Sequence, residues 1–273
     1  MPTLHRDDVD LYYEIRGSGP RLLMCNGSGA TTVTSGFVID RLAASFEVAV
    51  HDQRCLGQSS IPDAQPTMAD YAADAVALLD HLAWDTANVF GISFGGMVAL
   101  ELAVTEPSRI ERLALLCTSA GGAGGSSYPL HVMVSWPTER RVAQTILNMD
   151  SRFTEEWLAS HPVDRAIVDN ILERSRAPKD DETRRGEVMQ LEARARHDVW
   201  DRLDRITCPT FIACGRSDGQ APVTNSEALH ARIAGSELRV YDGGHLFVLQ
   251  DATAFPDTIA FLAGGSTGSP AGA

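Results

Sequence analysis

The chain has 273 residues, of which 44% are hydrophobic and 22% charged, as in an ordinary globular domain of α/β size. A net charge of −13 argues against nucleic acid and anionic membranes as partners. The polar, acidic start lacks the pattern of a secretory signal, and no apolar run approaches the length of a membrane span. Five cysteines without Cys-x-x-Cys spacing indicate reduced core thiols, so we predict a cytoplasmic protein.

Short apolar runs alternate with helix-compatible segments along most of the chain. The first two runs flank a Gly-Ser-Gly-Pro turn, which predicts an antiparallel opening pair. The alternation predicts an α/β fold, a mostly parallel, doubly wound sheet with helices on both faces. The predicted strands are Leu11–Arg16, Arg21–Cys25, Phe46–Val50, Ala87–Phe90, Leu113–Cys117, Thr210–Cys214 and Leu238–Tyr241, and the predicted helices are Val38–Ala44, Met68–Ala83, Phe94–Thr105 and Asn225–Ile233.

The alternation stops between Gly121 and Trp200, where a glycine run is followed by segments rich in Arg, Glu and helix formers. We expect an inserted helical lid over residues 121–199, a core of residues 1–120 and 200–263, and a flexible tail of residues 264–273. Trp136 and Trp157 either line an acyl pocket or pack against the lid's own helices. Four lid arginines fit a solvated helix face: Arg184, Arg185, Arg194 and Arg196.

Ser93 stands between two glycines in Gly91-Ile-Ser-Phe-Gly95, with a strand predicted before it and a helix after it. In such a strand–turn–helix elbow the serine hydroxyl is exposed above the sheet, and the flanking glycines avoid backbone collisions. The alternative is an ordinary helix N-cap. The context favours a nucleophile.

A serine nucleophile needs a base, and the base needs a partner that fixes its tautomer. These groups cluster on loops at the carboxyl ends of parallel strands. His245 follows the predicted strand Leu238–Tyr241 after two glycines, and Asp218 is the first carboxylate after Thr210–Cys214. We therefore predict a catalytic triad of Ser93, Asp218 and His245.

The negative charge that develops on the substrate oxygen requires fixed N–H donors. The N–H of Phe94, directly after the nucleophile at a helix start, is one predicted donor. The second is expected from the glycine-rich loop after Arg21–Cys25, where Ser28 is the first choice and Gly29 the second.

With these residues in place, the chain resembles the α/β-hydrolase superfamily over nearly its whole length apart from the lid. The segment Asp52-Gln-Arg-Cys-Leu-Gly-Gln-Ser59 is similar to the family's D-x-R-G-x-G-x-S loop, with Cys55 at the usual glycine. Asn26-Gly27 replaces the common His-Gly, and this departure and the elbow resemble the enol-lactonase branch (3-oxoadipate enol-lactonase-like).

The residues and the resemblance predict a serine hydrolase that cleaves a carboxylic ester or lactone of a small molecule without a cofactor or metal ion. No His, Cys and Asp residues have metal-ligand spacing along the chain. Three alternatives stay open. They are a carbon–carbon bond hydrolase of ring-cleavage products, a cofactor-free perhydrolase or haloperoxidase, and a non-catalytic ligand-binding module on this fold.

Overall fold

One eight-stranded sheet forms the centre of the computed structural model, which describes residues 2–265. Its strands are β1 (Thr3–His5), β2 (Asp10–Arg16), β3 (Arg21–Cys25), β4 (Glu47–His51), β5 (Ala87–Ile92), β6 (Ile110–Leu116), β7 (Thr210–Gly215) and β8 (Glu237–Tyr241). Their order across the sheet is β1-β2-β4-β3-β5-β6-β7-β8. The β1–β2 and β2–β4 pairs are antiparallel, and all pairs from β4 to β8 are parallel. The predicted mostly parallel α/β sheet is confirmed.

Helices cover both faces of this sheet. Within the described residues they are α1 (Gly36–Ala43), α2 (Met68–His81), α3 (Phe94–Thr105), α4 (Thr138–Met149), α5 (Glu155–Ser160), α6 (Pro162–Arg176), α7 (Asp181–Ala195), α8 (Val223–Arg232), α9 (Phe247–Gln250) and α10 (Ala254–Leu262). A capping box starts α2, because the Thr67 side chain and the Asp70 carboxylate each accept a hydrogen bond from the other's backbone N–H. Every residue of α3 from Phe94 to Val104 is buried, which explains why this helix has no polar face.

Each central strand contributes to two cores, because successive side chains of a strand point to opposite faces. On β3, Leu22 and Met24 join a cluster with residues of α1 and α10. Leu23 and Cys25 join the cluster on the other face with residues of α2 and α3. The uninterrupted apolar run of β3 is therefore the pattern of a parallel strand covered on both sides.

The predicted antiparallel pairing of the first two strands is wrong. β4 lies between β2 and β3, pairing antiparallel with β2 and parallel with β3. Val48 to His51 of β4 are buried, the pattern of an interior strand whose two faces are covered. The turn between β2 and β3 reverses the chain direction, but β2 and β3 are not neighbours in the sheet because β4 lies between them.

Helices α4 to α7 lie between β6 and β7 in the sequence, and α4 to α6 contribute to a separate apolar cluster centred on Phe153, Leu158, Ile167 and Val168. Trp157 packs against this cluster, donates its indole N–H to Asp164 at 2.7 Å and stacks on His161. Trp136 stacks under Arg140. The contacts of Trp157 match the alternative in which the lid tryptophans pack within their own helices. The division into core and lid stays a prediction.

The five cysteines are free thiols, four of them buried. Burial raises the pKa of Cys25 to about 12 and that of Cys214 to about 11, which keeps both thiols protonated. Residues 2–265 include no helix long and apolar enough to span a membrane. The predicted flexible tail lies outside the described residues from residue 266 onward.

Candidate active site

Ser93 occupies a strained turn between β5 and α3. Its φ of +56° lies in the left-handed region that residues with a Cβ rarely adopt. A Cβ added to Gly95 would lie 2.0 Å from the carbonyl oxygen of Cys25, so the helix can start this close to β3 only with glycine there. The Ser93 N–H donates to the Leu116 carbonyl on β6 at 2.8 Å, which fixes the elbow to the sheet.

His245 and Asp218 lie beside this serine, although both are far from it in sequence. The Nε2 atom of His245 is 2.9 Å from the Oγ of Ser93, and its Nδ1 is 2.8 Å from Oδ2 of Asp218. Gly244 allows this position, because an added Cβ would lie 2.0 Å from the Met149 carbonyl. All three predicted triad residues are buried and brought together at the carboxyl ends of β5, β7 and β8.

The carboxylate of Asp218 is held in place by backbone donors. Its Oδ1 accepts hydrogen bonds from the N–H groups of Gln220 and Ala221 at 2.8 and 2.7 Å, which leaves Oδ2 for His245. Burial of His245 disfavours the imidazolium, but the Asp218 carboxylate outweighs this effect and raises the pKa of His245. The imidazole is therefore a stronger base than free histidine, with Nδ1–H directed at the carboxylate.

Cys117 lies against the same imidazole. The ligand-type atoms of Cys117, Asp218 and His245 lie within 4.8 Å of one another, a cluster that spacing along the chain did not indicate. Because the carboxylate and the imidazole are already hydrogen-bonded to each other, we interpret these side chains as an acid–base pair with a neighbouring thiol.

The two predicted oxyanion donors belong to segments next to Ser93. The N–H of Phe94 is the first of α3 and therefore has no intrahelical partner. The opposite loop is close, since a Cβ added to Gly27 would lie 3.6 Å from the Cβ of Ser93. Gly29 donates its N–H to the Gln190 side chain at 2.8 Å, so the arrangement favours Ser28 over Gly29 as the second donor.

Gln220 belongs to the site, and the sequence analysis missed it. Its Nε2 is 2.7 Å from Nε2 of His245 and 3.4 Å from the Oγ of Ser93. The amide thus donates to the same imidazole nitrogen that would accept the serine proton. Its position two residues after Asp218, in a loop that must face His245, is the one signal in the sequence that could have indicated it.

The loop after β4 is hydrogen-bonded to the segment near Ser28. Asp52 accepts hydrogen bonds from the N–H groups of Thr32 and Gln58 at 2.6 and 2.9 Å, which ties this loop to the segment that follows the Ser28 loop. Cys55, at the position where the family loop usually has glycine, has a φ of +75°. The left-handed conformation is the physical reason for glycine there, and it costs cysteine about 1–2 kcal/mol.

A family model described as alpha/beta hydrolase fold matches residues 20–252. The chain belongs to this family, as its sheet and the strand–elbow–helix around Ser93 indicate.

Relatives named as hydrolases align over most of the chain. It is 27% identical over 255 residues to an Azorhizobium caulinodans protein provisionally named as a carbamate hydrolase, with coverage of 90% of this chain and 92% of the relative. It is 27% identical over 256 residues to 3-oxoadipate enol-lactonase 2 of Acinetobacter baylyi, with coverage of 93% and 92%. The predicted similarity to the enol-lactonase branch is thus confirmed.

A solved structure is also similar. A hydrolase from Pseudomonas aeruginosa superposes with a TM-score of 0.78 at 26% identity, and the match covers 97% of this chain and 98% of that one. The match includes residues 121–199 as well as the sheet, because it covers nearly the full length of both chains.

Proposed function

We propose that this hydrolase cleaves a carboxylic ester or a lactone of a small molecule, with Ser93 as nucleophile, His245 as general base and Asp218 as the residue that orients the base. The observation that carries the proposal is the continuous hydrogen-bonded row from Ser93 Oγ through both imidazole nitrogens to Asp218, with spacings of 2.9 and 2.8 Å. These distances allow direct proton transfer from the hydroxyl to Nε2.

The proposed reaction has two halves. In the first, Ser93 Oγ bonds to the substrate carbonyl carbon while its proton moves to His245 Nε2, and the N–H groups of Ser28 and Phe94 stabilise the oxyanion. The carbon–oxygen bond to the leaving alkoxide then breaks, and the imidazolium protonates the alkoxide. In the second half, His245 deprotonates a water molecule, and its oxygen bonds to the acyl carbon. The bond from that carbon to Ser93 Oγ then breaks, the imidazolium returns its proton to Oγ, and the acid is released.

Relatives support the proposal at the level of the reaction class. The enol-lactonase acts on a cyclic ester by its name, and the carbamate hydrolase by its name cleaves a bond to a carbonyl carbon. Both reactions add water to an acyl group, which is what the Ser93 arrangement can do chemically. Ester and lactone substrates fit a serine nucleophile without any further group.

Covalent labelling with a fluorophosphonate, followed by peptide mass spectrometry, tests the nucleophile. We expect one adduct on the peptide that contains Ser93, together with turnover of p-nitrophenyl esters or small lactones. Ser93→Ala should lose the label and lower kcat by a factor on the order of 10⁴–10⁶. Ser45→Ala is the matched control, because Ser45 is an exposed serine at the end of α1.

Other outcomes would select the alternatives. A correctly folded wild type that resists the fluorophosphonate would indicate a non-catalytic module and contradict the proposal. Ser93 could also be labelled while no ester or lactone is hydrolysed. If the enzyme then cleaved a carbon–carbon bond, or turned over peroxide and acetate, Ser93 would remain the nucleophile and the proposed substrate class would be wrong.

A further inference from the structure

A small cavity of about 160 Å³ lies between α3 and α7. Its walls include Met97 of α3 and Arg194 of α7, together with Ser119, Ser127, His131 and His197. Neither the predicted triad nor the Ser28 loop contributes a wall to this cavity. It is therefore a separate space beside the candidate active site.

Arg194 is the charged group of this cavity, and only 5% of the residue is exposed. Its Nη1 donates to the Tyr128 carbonyl at 2.8 Å. Its Nε and Nη2 atoms are buried and have no hydrogen-bond partner among the described residues. These two N–H groups point the same way from the planar guanidinium, so they form a fork that matches the two oxygens of a carboxylate.

The charge of this guanidinium is not balanced nearby. Burial lowers the pKa of Arg194 to about 10, yet the group still carries its proton at neutral pH. None of the residues that line the cavity is acidic. Burial lowers the pKa of His197 to about 4, so this ring is neutral, and its Nε2 lies 3.1 Å from the Ser119 carbonyl. The cavity thus holds one unpaired positive charge.

We propose that Arg194 and this cavity form a binding site for a single carboxylate group. A carboxylate carries one negative charge, which would neutralise the guanidinium. Its two oxygens would accept hydrogen bonds from the unpartnered Nε and Nη2 donors. A phosphate dianion would instead bring one charge more than the site can balance.

Two residues of the cavity region, Tyr128 and Met97, are hydrogen-bonded to the backbone of the candidate active site. The Tyr128 carbonyl accepts from Arg194, and the Tyr128 N–H donates to the backbone carbonyl of Gln220 at 2.7 Å, whose side chain contacts Ser93 and His245. Met97 adds a second connection, because its N–H donates to the Ser93 carbonyl at 3.3 Å. The carboxylate belongs either to the substrate itself, an assignment that rests on the proposed function, or to a free small acid, and the two sources are separated by the kinetic experiment below.

Thermal unfolding tests binding without any need for turnover. We expect acetate to raise the Tm of the wild type above that in chloride of equal ionic strength, whereas neutral acetamide does not. Arg194→Met should abolish the acetate effect, and it should still fold because the Leu130 N–H also donates to the Tyr128 carbonyl at 2.8 Å. Arg184→Met is the matched control, since Arg184 lies exposed on the same helix and pairs with Asp181.

Kinetics identifies the source of the carboxylate. The ratio of kcat/KM for monomethyl succinate to that for dimethyl succinate should fall by about 10- to 100-fold in Arg194→Met if the substrate carries the group. An unchanged ratio together with acetate stabilisation assigns the site to a free acid and still supports it. No acetate effect on Tm, or an acetate effect that Arg194→Met retains, overturns the proposal while leaving Ser93 chemistry untouched. A larger effect from inorganic phosphate than from acetate also overturns it if Arg194→Met abolishes that effect, since phosphate raises Tm without a site as well.

Discussion

Arg54 and Arg194 are both buried arginines, but only Arg54 has carboxylates beside it. The Nε and Nη2 atoms of Arg54 each donate to an oxygen of Asp74 at 2.7 Å, and its Nη1 donates to Asp8 at 2.8 Å. The same two atoms of Arg194 have no partner in the part of the chain that the structure describes. Burial alone would lower the pKa of either group, yet the two carboxylates raise that of Arg54, while the pKa of Arg194 falls.

The presence or absence of a paired carboxylate distinguishes an arginine that stabilises the fold from one that can bind a ligand. A fork that finds its carboxylate within the chain stabilises the loop that carries it, whereas an unpaired fork keeps its affinity for a carboxylate from outside. His245 and Asp218 extend the comparison to the candidate active site, since there a buried carboxylate is paired with a base that must gain and lose a proton. Each of these three buried groups can be tested by its own substitution.

Asp218→Asn should have the largest effect, because it removes the carboxylate that is paired with His245. The amide favours the wrong imidazole tautomer, so kcat should fall by a factor on the order of 10⁴ with the fold intact. Steady-state kinetics beside circular dichroism measures this. Activity near that of the wild type would mean that another carboxylate orients His245, and Asp242→Asn would then be examined next.

Arg54→Met should break the structural pair and leave Asp74, which is fully buried, without its main partner. Such a loss costs about 3–5 kcal/mol, and we expect the lower end because Arg6 also contacts Asp74. Urea denaturation at constant m-value measures the free energy of unfolding.

Arg194→Met should change stability in the opposite direction in the absence of a carboxylate, since it removes a charge that nothing balances. Equal destabilisation by the two substitutions would contradict the distinction between a paired and an unpaired arginine.

The sequence was a better guide to which three side chains meet than to which strands are neighbours. Ser93, Asp218 and His245 each follow a strand, and the carboxyl ends of parallel strands meet at one edge, so chain position was sufficient. The place of β4 between β2 and β3 depends on pairing between distant segments, which a Gly-Ser-Gly-Pro turn does not specify.

The burial of Arg194 was not predicted, because the many charges of α7 suggested a solvated surface. Arg184 and Arg196 are exposed, as expected, but Arg194 is not. The buried face of α7 consists of Gly186, Met189, Gln190, Ala193 and Arg194, spaced three and four residues apart. Helical spacing of the small and apolar residues was the available signal, and it places Arg194 on the inner face.

The pH dependence of kcat/KM should report the pairing of His245 with Asp218. The base must be neutral, so activity should rise with pH, and the raised pKa of His245 should place the midpoint above the ordinary 6.5. In Asp218→Asn the carboxylate no longer outweighs the burial that disfavours imidazolium, so the midpoint of the residual activity should move to lower pH. Equal midpoints in the two proteins would show that the carboxylate does not control the base.

Gln220→Ala should have the smallest effect. The Gln220 amide donates to the Nε2 lone pair of neutral His245 at 2.7 Å, which stabilises the neutral form and opposes the effect of Asp218. Without the amide, the midpoint of the kcat/KM profile should move to higher pH by less than about one pH unit, since one such hydrogen bond is worth about 1 kcal/mol. Gln220→Glu is the informative companion, because a carboxylate there would stabilise the imidazolium and move the midpoint further in the same direction. A midpoint that moves to lower pH in Gln220→Ala would mean that the side chain accepts a proton from His245 instead of donating one, and the assigned orientation of the amide would be reversed.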